Sequence, residues 1–246
     1  MAEPLRLLDT VKLTFDQVWK SRAAMSLIVV IAAAVKATST WIASNFMEPL
    51  HAALLHKAIG LFVYTVLAIS VHRLLLNAEQ PFMRYWRMRE IRFLGWLLII
   101  YGCFKLIFVG FGIVFFLMSG KPFELFGSSL TGSLVFLLMS MPAAYICARF
   151  SLLLPAIALD RKSNLAWAWA LTKGNGLKLA TLLWVLPFVF SLLYSGWQTE
   201  SPVMYLALNL VLSTLTAFEV ALLSVAFKTL GGMSFKTPSE VQAQPL

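Results

Sequence analysis

Charge is the scarcest property of this sequence. Charged residues occupy 13% of its 246 positions and hydrophobic residues 60%, whereas a soluble domain of this size carries about a quarter of its residues as charges. With a mean hydropathy of +0.81, the composition excludes water as the chain's main solvent. Acids are scarcer than bases, 11 Asp and Glu against 20 Lys and Arg, for a formal net charge of +9. The bases lie between apolar runs and form no contiguous basic face, which excludes a nucleic-acid partner. Cysteine is nearly absent: Cys103 and Cys147 sit in apolar segments without metal-ligand or redox spacing, so both read as packing residues. The N-terminal stretch, residues 1–22, has no short apolar run ending in a small-residue cleavage site and reads as retained.

Catalytic patterns are missing too. Gly120-Lys121 lacks the earlier glycine of a phosphate loop, and Gly174-Asn175-Gly176 has no third glycine. His51 and His56 are five apart, the wrong spacing for one helical face of a zinc site. No GxSxG elbow and no paired carboxylates occur. The expectation is a protein that is not an enzyme and takes no cofactor or metal.

What is present is long apolar runs. A spanning helix needs about 20 predominantly apolar residues, and six segments qualify: residues 23–43, 58–76, 93–118, 129–150, 177–197 and 203–227. The third is long enough to tilt, or to kink near Gly102, Gly110 and Gly112. The fold class expected is therefore all-α, an integral membrane helical bundle forming one domain over residues 1–232. The polar tail, 233–246, carries Pro238 and Pro245 without apolar periodicity and is expected to be disordered.

Bases set the orientation. Arg6, Lys12, Lys20 and Arg22 precede the first run; Arg84, Arg87, Arg89 and Arg92 separate the second from the third. Arg161, Lys162 and Lys173 separate the fourth from the fifth, and Lys228 and Lys236 follow the sixth, while the opposite side offers only Lys57 and Lys121. This bias places both termini in the cytoplasm. The chain becomes three hairpins, each preceded by a segment mixing bases with tryptophan: FDQVWKSR at 15–22, RYWRMREIR at 84–92 and AWAWALTKG at 166–174. In the first, Leu5, Leu8, Phe15, Val18 and Trp19 share a helical face, with Lys12, Asp16 and Lys20 turned away. Such helices would lie in the interface with their bases near anionic headgroups of the lipid bilayer. The three segments read either as ordinary interfacial anchors or as a threefold repeat.

Candidate functional residues are the charges inside the runs: Lys36, Arg73, Lys105, Arg149 and Glu219, with His72 beside Arg73. A charge at the bilayer centre costs about 2.5–3.5 kcal/mol on insertion scales, so each requires a partner, a snorkelling route or wet surroundings. Glu219 is the one acid well inside a run, and its depth suits a pair with Lys105 or Arg73. Lys36 and Arg149 can instead snorkel to an interface. The Glu219 pair reads as a register-fixing contact or as part of an ion or proton pathway.

One stretch carries a resemblance. In residues 147–176, CARFSLLLPAIALDRKSNLAWAWALTKGNG, an arginine near a helix end (Arg149) is followed by an apolar run, Pro155-Ala156, the acid Asp160, aromatic Trp167 and Trp169, then Leu171-Thr172-Lys173-Gly174. This pattern resembles bacterial multi-pass proteins related to the membrane domain of glycerophosphodiester phosphodiesterases. The resemblance implies a bacterial inner membrane. It brings no hydrolysis, because in that family the chemistry belongs to a separate soluble barrel for which this chain has no room. Gly174 and Gly176 read as a helix stop before the fifth run, with Asp160 and Arg161 capping or anchoring the turn.

The leading expectation is a non-enzymatic inner-membrane protein with a structural, envelope-maintenance or accessory role. A partner protein or a second copy, approached through Gly110, Gly112 and Ser119, is compatible with it. The alternative is a small transporter or lipid-handling protein with Glu219, Lys105, Arg73 and Lys36 lining a polar cavity. A membrane-embedded enzyme comes third.

Overall fold

The computed structural model describes residues 5–76, 88–119, 130–161, 163–189 and 201–231. Among these, all regular structure is helical: α1 (Leu7–Lys20), α2 (Arg22–Phe46), α3 (Pro49–Leu75), α4 (Met88–Ser119), α5 (Leu130–Ser151), α6 (Leu153–Ala158), α7 (Leu165–Leu171), α8 (Gly176–Val189) and α9 (Pro202–Leu230). Five stretches are long and apolar enough to cross a membrane: Arg22–Ala43, Pro49–Leu75, Met88–Val114, Leu137–Ala158 and Val203–Leu230. The expected fifth run is described only as far as Val189, and α8 is shorter than a span; residues 190–197 lie outside the described part, as do the bases at 84, 87, 121, 162 and 236 and the tail.

Local chemistry sets the boundaries. Proline opens α3 and α9, where its missing N–H costs nothing and its fixed φ suits the first turn; α3 therefore starts well before the apolar run. Pro155 has no N–H to give to Ser151, and the chain breaks at Leu152 between α5 and α6. Pro187 does the same to Leu183, and the preceding residues Thr181–Val185 widen into a π-helical turn inside α8.

The three basic, tryptophan-bearing segments take different forms. The first is a separate helix, α1, and the third forms α7, but the described part of the second, residues 88–92, is the opening turn of α4 itself. The expected single apolar face of α1 is also split. Leu5 is buried and Val18 half-buried, whereas Leu8, Phe15 and Trp19 point outward. Thr10 and Thr14 face inward instead, their hydroxyls donating to the carbonyls of Arg6 (2.9 Å) and Thr10 (2.7 Å), which makes their burial tolerable.

Helix α9 packs against α2, α3 and α1, while α4 and α8 pack against α5. The short α6, buried along its whole length, touches α3, α4, α5 and α9 and so joins the two groups. Burial is concentrated at the end of the bundle carrying α1, α6 and α7: α3 is buried almost continuously from Leu67 to Leu75 and exposed over much of its first half. Beyond Phe93, no residue of α4 as far as Val114 is buried. Leu98, Leu106, Val109, Ile113 and Leu117 project from it, a helix apolar all round that hydrocarbon accommodates and water does not.

Candidate functional site

Polar side chains converge at that same end. Helix α6 closes with Asp160 N–H donating to Ile157 O and Arg161 N–H to Ala156 O, both at 2.9 Å, the paired bonds of a Schellman turn. The turn requires a left-handed residue, and Asp160 supplies it at φ 57°, a region aspartate enters more readily than most side chains. That conformation aims its carboxylate at α4. Arg89 donates to Asp160 Oδ2 at 2.9 Å and Arg92 to Oδ1 at 3.4 Å. Arg89 is also paired with the neighbouring Glu90, whose side chain is fully buried. Two guanidiniums thus fasten the start of α4 to the end of α6 through Asp160, and Glu90 braces Arg89 from within α4.

A second junction surrounds Arg149, near the end of α5. Its Nε donates to Thr172 Oγ1 (2.8 Å), Nη2 to the Trp169 carbonyl (2.5 Å) and Nη1 to Tyr145 Oη (3.3 Å). The guanidinium carbon lies 3.4 Å from the centroid of the Trp169 ring. Arg149 does not snorkel to an interface; it is 5% exposed and is solvated by neutral groups of α5 and α7. Those groups are placed by the α7 cap, where Asn164 accepts from Trp167 N–H at 2.8 Å. After α7 the chain turns at Gly174, φ 79°, and the side chain of Asn175 accepts from Leu5 N–H at 2.8 Å, tying down the approach to α1.

Gly176 is not part of a helix stop. It opens α8 against Arg149 and Tyr145, and a Cβ there would sit 2.6 Å from Tyr145 Cε2 and 3.0 Å from Arg149 Cδ. Gly176→Ala is expected to cost about 1–3 kcal/mol through overpacking. A lowered unfolding midpoint in detergent micelles, against an unchanged or raised one for Gly95→Ala, a helix-interior position where nothing lies within 4 Å, is the check.

His72 and Ser224 form the third contact, Nδ1 to Oγ at 2.7 Å, between the ends of α3 and α9. Ser224 Oγ donates to Val220 O (2.9 Å), so His72 Nδ1–H donates to the hydroxyl. His72 Nε2 has no hydrogen-bond partner among the described residues, and the ring faces Phe93 at 6.1 Å. Arg73 is buried and donates to the Ala158 carbonyl at 3.4 Å.

The six charges singled out in the sequence are therefore dispersed. His72, Arg73 and Arg149 join the polar end, each in its own surroundings. Glu219 lies half-buried on α9 within electrostatic reach of Tyr64. The expected pair of Glu219 with Lys105 or Arg73 does not form: among the described residues no base lies within 4 Å of that carboxylate. The depths matched, but α4 packs on α5 and α6 whereas α9 packs on α2 and α3. Lys36 is half-buried on α2, and Lys105 stands exposed on α4, its Nζ 5.5 Å from the Tyr101 ring centroid. No single cavity gathers Glu219, Lys105, Arg73 and Lys36 among the described residues. Arg89 and Glu90 were missing from the expected set; an acid between arginines just ahead of an apolar run was the signal for them.

Several clefts face outward, two of them notable for their linings. One, about 240 Å³, lies between α2 and α3 and is lined by apolar side chains such as Leu27, Ile31, Phe62 and Leu67. The other, about 430 Å³, lies between α4, α5 and α8 and includes Lys105, Tyr101, Ser151 and Trp184. Among the described residues no three His, Cys, Asp or Glu side chains come together as a metal ion would require. No family model, no curated protein and no solved structure matches the chain.

Proposed function

We propose that this chain is a non-enzymatic, multi-pass protein of a bacterial inner membrane, with an accessory or envelope-maintenance role. The observation carrying this reading is the mutual engagement of polar groups at the α1 end. Asp160 and Glu90 are held by arginines, Arg149 by hydroxyls, a carbonyl and a ring, and His72 by Ser224. Apart from the Arg89–Glu90 pair within α4, each contact joins separate helices or turns, the arrangement of a rigid platform. Groups that turn over a substrate must instead converge on a space it can enter.

In this reading the chain crosses six times, α8 beginning the fifth span, and the α1 end lies in the cytoplasm. The outward Leu8, Phe15 and Trp19 of α1 support an interfacial position, where aromatic and apolar side chains meet headgroups while the opposite face packs on α9. Alkaline phosphatase fused at residues 48, 125 and 195 is expected to be active, and fluorescent protein fused at 82 and after 231 to fluoresce. The inverse pattern overturns the orientation.

The accessory role is tested by complementation of a deletion strain at matched protein abundance, scoring detergent sensitivity and dye entry. His72→Asn and Glu219→Gln are expected to restore the envelope as well as the natural chain does. Loss of complementation by either variant at full abundance would replace this role with one that uses the group chemically.

A further inference from the structure

We propose that the cleft between α4, α5 and α8 is a binding site for one anionic phospholipid, whose charged group pairs with Lys105. The inference goes beyond the accessory role and rests on α4 lying in the bilayer.

Lys105 stands roughly 25 Å along α4 from Met88, in the middle of an apolar window. Side chains on a helix lean toward its N-terminus, and Lys105 follows this rule, reaching back one turn over Tyr101. Among the described residues no carboxylate lies within 4 Å of its ammonium group. An aromatic face compensates a cation at this depth only in part.

The walls complete the case. Leu97, Ile100, Phe104 and Leu183 supply hydrocarbon, and about 430 Å³ falls within the range of about 300–1,000 Å³ typical of small-molecule sites. Most polar groups on the walls are already occupied: Trp184 Nε1–H donates to Ser140 Oγ (2.8 Å), Ser151 Oγ to Ala148 O (2.7 Å) and Cys147 Sγ to Ile100 O (3.6 Å). The π-helical turn presents Leu183 and Trp184 in succession to the same space, and the Trp184 ring packs 4.6 Å from that of Phe104. An apolar slot with one uncompensated cation at its edge selects an occupant with a hydrocarbon body and one negative charge. In the bilayer that occupant is an anionic lipid.

The test uses the full chain purified in a mild detergent and mixed with equal phosphatidylglycerol and phosphatidylcholine of identical acyl chains, with retained lipid counted by native mass spectrometry. The natural chain is expected to keep one phosphatidylglycerol in preference to phosphatidylcholine by about tenfold, the scale of one charge-assisted contact. Lys105→Met should abolish the preference and Lys105→Arg should keep it. Equal retention of the two lipids by the natural chain, or an unaltered preference in Lys105→Met, overturns the proposal. A second measurement needs no variant: phosphatidylglycerol with a photoactivatable acyl chain should attach within residues 97–105, 144–151 or 183–184. Attachment confined to the α2–α3 cleft would equally overturn it.

Discussion

Arg149→Ala is expected to lower the unfolding free energy by about 2–4 kcal/mol, because a hydrogen bond to a charged group contributes about 1.5–3 kcal/mol and such contributions do not add fully. Three donors of this guanidinium are engaged, and its plane covers the Trp169 ring. Truncation removes the donor to Thr172 Oγ1 but leaves that hydroxyl donating to the carbonyls of Ala168 (2.8 Å) and Trp169 (3.2 Å), so the loss stays well below the cost of stranding a buried charge. It still removes the contact that holds α7 to α5. Arg149→Lys separates geometry from charge: an ammonium keeps the charge but cannot reach Thr172, Trp169 and Tyr145 together in the planar fork. The lysine variant should therefore recover less than half of the loss. Denaturant titration of tryptophan fluorescence in micelles measures both variants. A change under about 0.5 kcal/mol for Arg149→Ala, the size of an ordinary surface substitution, would remove Arg149 from the framework of the fold.

Arg149 also shows where sequence reading succeeds and where it stops. Its position beside an apolar run was legible, as were Asp160 in a turn and Trp169 nearby, because each depends on neighbours in the chain. Its burial was not legible, since a base near a span end can snorkel or turn inward, and the choice rests on whether α7 folds back over it. The same limit applies to Glu219. Rise per residue gives depth from sequence, but the direction in which a residue points around the helix axis depends on which helices become neighbours. An apolar run such as α4, with almost no preferred face, carries no such information. The apolar runs themselves were legible because hydrocarbon imposes a length, and the all-helical fold followed because backbone polar groups there must be satisfied within a segment. The division of α1 between Thr10 and Thr14 on one side and Leu8, Phe15 and Trp19 on the other was hidden for a related reason. In the interfacial position proposed for α1, one face meets protein and the other lipid, so hydrophobicity no longer marks the inside.

Asp160 offers the sharper test of the polar end, because its backbone and its carboxylate can be varied separately. An alanine at φ 57° bears the left-handed penalty of about 1–2 kcal/mol, which glycine avoids. Both substitutions lose the carboxylate that accepts from Arg89 and Arg92. The Arg92 contact is half-exposed on both sides and contributes little. The Arg89 contact, whose guanidinium side chain is only 10% exposed, is the larger loss. Asp160→Ala is therefore expected to cost about 2–4 kcal/mol, with Asp160→Gly about 1–2 kcal/mol less destabilised. Asp160→Asn should be milder than either, since asparagine tolerates the left-handed turn and keeps one acceptor for Arg89. Unfolding curves of the three variants in one detergent, at low salt and at 0.5 M NaCl, distinguish the contributions. Salt should remove part of the Asn–Asp difference, because Arg89 is nearly buried while the Asp160 carboxylate is half-exposed and open to screening. Equal losses for glycine and alanine would mean that the Schellman turn does not hold its left-handed residue in solution. A glycine variant as stable as the natural chain would mean that the arginines of α4 are not fastened to α6 through this carboxylate.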